Sequence, residues 1–245
     1  MRILIAVIGL TLLPALAPAQ AVSNDAPKSK ADVEQIVREY LMKHPELIIE
    51  AVNKYQDNQR NDEKRKAEQA ITTLDQQLKR DPGSPAGGAP DVKDAVTVVE
   101  FFDYRCGYCK KMAPLVAKYV AGSKVRLVYK EFPILGPDSA IGSKAALAAS
   151  KQGDYVPFHQ DLMALTGAIT MKAVEDLAAK HKLDFAKLKT DMESDEIKAQ
   201  LKANETLASA IGVNATPSFV IGTELITGAM DDQEFQAAVA KVQKH

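Results

Sequence analysis

The stretch Glu100-Phe-Phe-Asp-Tyr-Arg-Cys106-Gly-Tyr-Cys109-Lys-Lys111 decides the fold, because it holds both cysteines of the chain with only Gly107 and Tyr108 between them. A β-branched run at 96–99 precedes it and an amphipathic stretch follows it, which predicts that Cys106 lies at a strand-to-helix junction. Unpaired N–H groups and the positive dipole at a helix N-terminus stabilise a thiolate. Cys106 is therefore the predicted nucleophile, and Cys109, one turn further along, is the thiol that attacks back.

Two simpler interpretations of the cysteine pair stand beside the redox one. A structural disulfide across so short a loop adds little chain-entropy stabilisation. A structural zinc site needs four ligands, whereas the sequence has no second cysteine pair and its 4 histidines show no ligand spacing. The pattern favours a redox-active dithiol, with no metal and no organic cofactor.

The composition and the charge balance exclude some classes of function. The 245 residues are 46% hydrophobic and 26% charged, which suits one globular domain with additional structure. The 31 basic side chains nearly balance the 32 acidic ones, so no basic field points to nucleic acid or to an anionic membrane surface.

Residues 1–21 are predicted to be a secretory signal peptide, with Arg2, an apolar run at 3–13 and Ala19-Gln20-Ala21 as the cleavage site. The apolar run is too short to span a bilayer, and no later segment is long enough, so a soluble mature protein is expected. The alternative is a retained N-terminal anchor. Because disulfides persist outside the cytoplasm, an exported chain whose only cysteines form a C-x-x-C pair is expected to act on the disulfides of other proteins, in the periplasm.

Residues 22–80 are predicted to be helical. Apolar residues recur at helical spacing over 33–41 and again over 47–55, and His44-Pro45 interrupts the helix between them. No Gly or Pro follows in 46–80, which predicts a continuous rod of up to about 50 Å. The apolar stripe has no core of its own and therefore favours a homo-oligomer; the alternative is a helical hairpin packed against the following domain.

The segment 81–91 is dense in Pro and Gly and lacks bulky apolar residues, which predicts a linker and a domain boundary. A β-α-β unit with a parallel strand pair is expected to open the domain at 92–245. Its predicted parts are a strand at 96–103, the cysteine helix, a strand at 124–132, a helical block at about 138–211, two short strands within 217–227, and a last helix from about residue 232.

This order of elements resembles the thioredoxin fold of the DsbA family, an α/β fold with an inserted helical subdomain. The resemblance covers 92–245 and rests on Glu-Phe-Phe-Asp-Tyr-x-Cys-Gly-Tyr-Cys at 100–109, Lys-Glu-Phe-Pro at 130–133 and Ala-Thr-Pro-Ser-Phe at 215–219. The N-terminal Arg38-Glu-Tyr-Leu-Met-Lys-His-Pro45 resembles the ScsC- and Com1-like subgroup, which uses such a segment to form dimers or trimers.

The resemblance implies roles for individual residues. Cys106 matches the family's exposed nucleophile, Cys109 its resolving thiol, and Pro217 the cis-proline that faces the disulfide. Thr216 then offers backbone groups to an extended substrate segment. Glu100 matches a buried acid beneath the cysteines, where burial raises its pKa and lets it exchange a proton with Cys109; strand alternation alone also allows an exposed polar side chain.

The dipeptide Gly107-Tyr108 departs from the Pro-His of strongly oxidising members and is the pair found in periplasmic isomerases of the DsbC type. Without a second cationic group beside Cys106, the disulfide is expected to be less oxidising. The resemblance thus favours a protein disulfide isomerase that acts on exported proteins and has an unidentified membrane redox partner, with Gly107 and Tyr108 among its substrate contacts. The alternatives are a DsbA-like dithiol oxidase and a Cu(I)-sequestering protein, because soft metals prefer thiolates.

Overall fold

The computed structural model describes residues 29–90, 95–122 and 124–243. These described residues divide into two compact units, which fall within residues 1–55 and 56–245. The signal peptide predicted at 1–21 lies outside the described residues. Among the residues that are described, no helix is both long and apolar enough to cross a membrane.

The first unit contains helix α1 (Lys30–Lys43) and the start of helix α2 (Glu46–Thr73). The Ser29 side chain caps α1 by accepting a hydrogen bond from the backbone N–H of Asp32 at 3.2 Å. The predicted interruption at His44-Pro45 is confirmed. No residue of α1 is buried, and the large apolar side chains of this unit, here called the apolar stripe, are exposed: Val33, Ile36, Val37, Tyr40, Met42, Ile48, Ile49, Val52 and Tyr55.

The second unit begins within α2 and continues through a short helix, α3 (Asp75–Lys79). The prediction of one continuous helix over 46–80 is wrong, because the helix breaks at Leu74. On either side of the break, Ile71 and Leu78 are fully buried in one apolar cluster with residues of the sheet. Tertiary packing therefore overrides a segment that has high helix propensity and no helix breaker.

In the described part of the second unit, the central mixed sheet has five strands: β1 (Ala86–Gly88), β2 (Val96–Phe102), β3 (Val125–Glu131), β4 (Ser218–Ile221) and β5 (Glu224–Thr227). Their order across the sheet is β1-β3-β2-β4-β5. The predicted parallel pair is confirmed, since β2 and β3 run parallel from Val96 opposite Val125 to Phe102 opposite Glu131. The remaining pairs are antiparallel. In chain order the elements are β1 (Ala86–Gly88), β2 (Val96–Phe102), α4 (Gly107–Ala121), β3 (Val125–Glu131), α5 (Pro137–Ser150), α6 (Tyr155–Ala164), α7 (Met171–Lys180), α8 (Phe185–Met192), α9 (Asp195–Ile211), β4 (Ser218–Ile221), β5 (Glu224–Thr227) and α10 (Asp232–Gln243).

The segment predicted as a linker, 81–91, is part of the folded unit over its described residues 81–90. Its strand β1 pairs antiparallel with β3, with Ala86 opposite Val128. Gly88 has a φ of 87°, and a Cβ there would come within 2.3 Å of the carbonyl oxygen of Val125. Gly88 is thus required because the two backbones approach closely. The glycine that suggested a flexible linker instead allows β1 to pack against β3.

A buried cation fixes the same segment to the sheet. The ammonium group of Lys130 is fully buried and donates to the Gln77 carbonyl oxygen at 2.8 Å, the Ser84 hydroxyl at 2.8 Å and the Asp81 carboxylate at 3.0 Å. A buried charge needs such partners, because leaving it unpaired is very costly. Residues 77–84 and the sheet therefore form one structural unit.

We predict that the folded unit begins near residue 56 and not at residue 92. A chain starting at Gln56 should retain the urea midpoint of the intact protein. A chain starting at Asp91 loses β1, Ile71 and Leu78, and should be less stable by several kcal/mol, because each large apolar side chain removed from a core costs about 2–5 kcal/mol. Equal free energies of unfolding for the two truncated chains would contradict this assignment.

Candidate active site

The two thiols differ in solvent access. Cys106 is the N-cap residue of α4 and is 7% exposed, whereas Cys109 in the first turn is fully buried. Both are free thiols. The Cys106 sulfur accepts a hydrogen bond from the backbone N–H of Cys109 at 3.4 Å and donates one to the carbonyl oxygen of Thr216 at 3.2 Å. Both thiols are thus buried, and Cys106 is the one that keeps a small exposed surface, at the start of α4.

Burial raises the pKa of the Cys109 thiol, an effect that a backbone hydrogen bond from Asp103 opposes. The Cys106 side chain, through its hydrogen bond and its charge, raises this pKa further, as does Glu100 when it is ionised. A thiol in such surroundings stays protonated near neutral pH, and only the thiolate is a strong nucleophile. The resolving role predicted for Cys109 would therefore require a base that accepts its proton at the moment of attack.

Glu100 lies on β2, where alternate residues face opposite sides of the sheet. It shares its face with Val98 and Phe102, which pack in the same apolar cluster as Cys109. Glu100 is 3% exposed, and burial raises the pKa of its carboxyl to about 8. The predicted burial is thus confirmed, while the role in proton transfer stays a prediction.

A small cavity lies against Glu100. It has a volume of about 10 Å³ and is lined in part by Tyr129, His159 and Gln160. This is the volume of about one water molecule, and a water there would have polar partners. Because Gln160 is exposed, the cavity lies between the buried carboxyl and the surface at α6.

The Thr216–Pro217 peptide bond is cis, as the resemblance implies. Pro217 is buried, and its carbonyl oxygen accepts a hydrogen bond from the Gly228 N–H at 2.8 Å. Strand β4 begins at the next residue, Ser218, which lies opposite Phe101 of β2. The central strand that leads to the cysteines thus also positions the Thr216 carbonyl beside Cys106.

Gly107 and Tyr108 face solvent at the first turn of α4. A Cβ on Gly107 would meet no atom within 4 Å, and Tyr108 is 66% exposed. Their predicted role as substrate contacts stays a prediction. In the described part of the chain, no group of three or more His, Cys, Asp or Glu side chains is arranged to hold a metal ion.

Asp103 is a positioning residue that sequence reasoning missed. Its side chain is fully buried, and its backbone carbonyl accepts a hydrogen bond from the Cys106 N–H at 3.0 Å. The only sequence signal is a polar residue between a buried strand and a cysteine helix. Its carboxylate accepts four hydrogen bonds, from the backbone N–H groups of Arg105 (2.7 Å), Ile134 (2.8 Å) and Leu135 (2.9 Å) and from the Ser139 hydroxyl (2.7 Å).

A second buried carboxyl, Glu131, lies at the end of β3 and was also missed. Its Oε1 accepts hydrogen bonds from the hydroxyls of Tyr155 at 2.7 Å and Tyr104 at 3.0 Å, and Tyr104 also contacts Nδ1 of His159 at 2.9 Å. Burial raises the pKa of Glu131 to about 8 and lowers that of His159 to about 3. An uncharged cluster thus supports the loop that holds Cys106.

Two known protein families match parts of this chain. The family described as Thioredoxin matches residues 80–241. The chain belongs to the thioredoxin family. A second family, described as the copper resistance protein ScsC N-terminal domain, matches residues 30–61, which include the apolar stripe.

Solved structures of this family resemble the chain over most of its length. A thioredoxin-like oxidoreductase from Silicibacter pomeroyi DSS-3 is 41% identical, with a TM-score of 0.66, and the match covers 69% of this chain and 98% of that one. Proteus mirabilis ScsC in a compact conformation is 28% identical, with a TM-score of 0.63, and the match covers 87% and 97%.

The relatives known by sequence include proteins named for disulfide chemistry and longer transporters that the chain matches over a small part of their length. A probable disulfide bond formation protein D from Bacillus anthracis is 26% identical over 152 residues, which are 56% of this chain and 69% of that protein. A Na(+)/H(+) antiporter NhaA 1 from Salinispora arenicola is 25% identical over 147 residues, and the chain spans only 22% of its length. A thiol:disulfide interchange protein DsbA from Bordetella pertussis is 26% identical over 145 residues, which are 56% of this chain and 68% of that protein. The chain is a thioredoxin-fold thiol-disulfide oxidoreductase of the DsbA and ScsC type.

We predict that the two buried carboxyls destabilise the fold as pH rises. Their folded-state pKa of about 8 exceeds the ordinary value of 4.5, so their stabilising contribution is full below about pH 4.5 and is lost as pH rises through about 8. Each carboxyl changes the free energy of unfolding by up to about 1.4 kcal/mol per pH unit within that window. Urea unfolding between pH 5 and 8 should show a flatter slope for Glu100→Gln and for Glu131→Gln.

The exposed Glu63→Gln provides the matched control and should keep the slope of the intact protein. Because the other titrating groups are common to all the proteins, they cancel in each comparison. Slopes unchanged by either buried substitution would mean that these carboxyls are already ionised in the folded protein at pH 5.

Proposed function

We propose that this protein is an exported, periplasmic protein disulfide isomerase that acts on other exported proteins through Cys106 and Cys109. The observation that carries the proposal is the difference between the two thiols. Cys106, at a helix N-terminus beside a cis-proline, is 7% exposed, whereas Cys109 is fully buried behind it. The redox group in this proposal is the dithiol itself, without an organic cofactor.

In the proposed reaction, the Cys106 thiolate attacks one sulfur of a non-native substrate disulfide. That S–S bond breaks, a mixed disulfide forms, and the other substrate sulfur leaves as a thiolate. In isomerisation a different substrate thiol attacks the mixed disulfide and returns Cys106 as a thiolate, with no net oxidation. The Thr216 carbonyl, which lies 3.2 Å from the Cys106 sulfur, supplies a backbone acceptor for an extended substrate segment.

Alternatively, Cys109 resolves the mixed disulfide. Its thiolate attacks the Cys106 sulfur, the protein becomes a disulfide, and the substrate leaves as a dithiol reduced by two electrons. Glu100 accepts the Cys109 proton in this step. A water in the adjoining cavity passes that proton towards the surface at Gln160.

The charges around Cys106 support isomerisation over strong oxidation. The Arg105 guanidinium pairs with Asp138 at 3.0 Å, and the Lys110 ammonium donates to the Leu165 carbonyl oxygen. Arg105 and Lys110 thus have other partners, and Gly107-Tyr108 adds no cation between the cysteines. A thiolate without extra stabilisation gives a less oxidising disulfide.

The apolar stripe supports self-association into a homo-oligomer, a dimer or a trimer. Exposed apolar surface of this extent is typical of an interaction site. Linked active sites raise the effective concentration of thiolates around one non-native substrate. They also separate the dithiols from the membrane partner that would oxidise them, which keeps Cys106 in the reduced form that isomerisation requires.

The reaction is tested by trapping. A Cys109→Ala variant should accumulate mixed disulfides with exported proteins, because it lacks the thiol that resolves them. A Cys106→Ala variant should form none. The intact protein should refold scrambled ribonuclease and reduce insulin. Stoichiometric Cu(I) retention by the reduced protein, without either activity, would select the copper-sequestering alternative; a protein isolated from cells with its cysteines mostly oxidised would select the oxidase.

We predict that the stripe is needed for isomerisation but not for thiol chemistry. A chain starting at Gln56 keeps the cysteines and the described core, so it should reduce insulin at the rate of the intact mature protein. It should be monomeric by light scattering and should lose most of its ribonuclease-refolding activity. A monomeric intact protein, or a truncated chain that refolds ribonuclease equally well, would refute the role of the stripe.

A further inference from the structure

The small cavity against Glu100 is lined by a buried histidine as well as by the acid. His159 lies on α6 and is 5% exposed, and it lines the cavity with Tyr129 and Gln160. Burial lowers the pKa of its imidazole to about 3, so the ring is neutral near pH 7, with one nitrogen protonated and the other able to accept a hydrogen bond. What the ring offers to the cavity therefore depends on which nitrogen carries the proton.

Tyr104 and Glu131 determine that tautomer. The Tyr104 hydroxyl contacts Nδ1 of His159 at 2.9 Å and donates its single proton to Oε1 of Glu131 at 3.0 Å. Its oxygen must therefore accept from the ring, which places the imidazole proton on Nδ1. No other hydrogen bond from the described residues reaches the ring, so Nε2 is the nitrogen that is left to accept.

The hydrogen bonds of Glu131 support this direction. Its Oε1 also accepts from the Tyr155 hydroxyl at 2.7 Å, so this oxygen receives two donors and does not carry the acid proton. Oε2 and the nearby Ser143 hydroxyl, both buried, make no hydrogen bond of normal geometry within the described part of the chain. Because burial raises the pKa of Glu131 to about 8, its carboxyl is mostly neutral at pH 7, and the proton belongs on Oε2.

Four aromatic rings keep the imidazole in this orientation. The ring centroids of Phe102, Tyr104, Tyr129 and Tyr155 lie 4.7 to 5.6 Å from that of His159. Contacts on several sides oppose a ring flip that would exchange the two nitrogens, because a packed interior leaves little room for it. Nε2 thus remains the polar atom that the ring can present to the cavity.

We propose that His159 is a positioning residue for the step in which Cys109 resolves the mixed disulfide, because its Nε2 orients a cavity water towards Glu100. This inference rests on the proposed function and adds a residue to that step. A water that donates one hydrogen to Nε2 turns its oxygen to the acid. The proton then moves from the Cys109 sulfur to Glu100 and from Glu100 to the water, which gives its second hydrogen to solvent at the surface.

Two substitutions of His159 distinguish this role from a structural one. The amide of Asn lies near the position of Nδ1 and can keep the hydrogen bond to Tyr104, but it brings no acceptor to the cavity. The amide of Gln lies near the position of Nε2 and can bring an acceptor there, but it gives up the bond to Tyr104.

The two roles predict opposite orders of rate. Proton transfer by a positioned group contributes about 10²- to 10⁴-fold, and we expect His159→Asn to lose a part of this, about 10-fold, in the Cys109 step. His159→Gln should retain most of the rate. A purely structural role predicts that His159→Gln, which lacks the internal hydrogen bond, is the slower variant.

The step is measured on reduced protein mixed with oxidised glutathione. Cys106 first forms a mixed disulfide with one glutathione, and Cys109 then displaces that glutathione and forms the Cys106–Cys109 disulfide. Acid quenching followed by mass spectrometry gives a rate constant for each reaction. The first reaction does not use Glu100 and should be equally fast in the two variants. Circular dichroism and urea unfolding establish that each variant is folded.

A Glu100→Gln background tests whether His159 acts through the acid. A carboxamide cannot accept the Cys109 proton, so the orientation of the water no longer matters there. His159→Asn should then slow the Cys109 step no further, which is the non-additivity expected of two residues that act together. An equal loss in the two backgrounds would assign the effect to packing and overturn the inference.

The outcomes separate this inference from the proposed function. An intact protein that forms no mixed disulfide with glutathione refutes the proposed function. Normal formation of the mixed disulfide, with a Cys109 step that is equally fast in the two His159 variants or faster in His159→Asn, refutes the role of His159 alone. Nitrogen NMR of the intact protein at pH 7 tests the tautomer without any variant: we expect a neutral imidazole protonated at Nδ1, and a proton on Nε2 would overturn the inference.

Discussion

The burial of Cys109 beneath an accessible Cys106 is the constraint on which the rest of the site depends. A reactive thiol must contact solvent, whereas the thiol that releases it must wait in a protected, protonated state. Both needs are met by two residues one helical turn apart only if the helix begins at the first cysteine and packs its second against a sheet. The central strand β2 supplies that surface, and it also carries Glu100 and leads into Asp103.

Local signals in the sequence sufficed for the parts of the fold that local chemistry determines. The cysteine helix, the parallel pair and the cis-proline loop lie where the strand patterns and the three motifs at 100–109, 130–133 and 215–219 placed them. The sequence misled at 46–90, because the break at Leu74 and the pairing of β1 depend on contacts made by residues about 40 or more positions later in the chain. Lys130 and Val125 make those contacts, and the linker-like composition of 81–91 does not predict them.

The buried polar residues of the site were predictable only in part. Glu100 was found through resemblance, since strand alternation alone allowed it to be exposed. Asp103 and Glu131 were not found, because a carboxylate that accepts four hydrogen bonds and one that two tyrosines contact look in sequence like any other acidic residue. Asp103 is important because hydrogen bonds satisfy its buried carboxylate, and Glu131 because burial favours its uncharged form. Both properties come from the fold and not from the residue type.

The proposed role of Glu100 affects which thiol resolves the mixed disulfide, a substrate thiol or Cys109. In the proposed reaction, a pKa of about 8 leaves most Glu100 carboxyls protonated at pH 7 and unable to accept the Cys109 proton. The Cys109 thiol, whose own pKa burial also raises, then attacks slowly. A slow intramolecular exit lengthens the life of the mixed disulfide, and a substrate thiol gains time to attack instead. Under the proposed function, burial of the acid and of the second thiol would favour isomerisation, because it would slow the competing reaction without any change at the nucleophile.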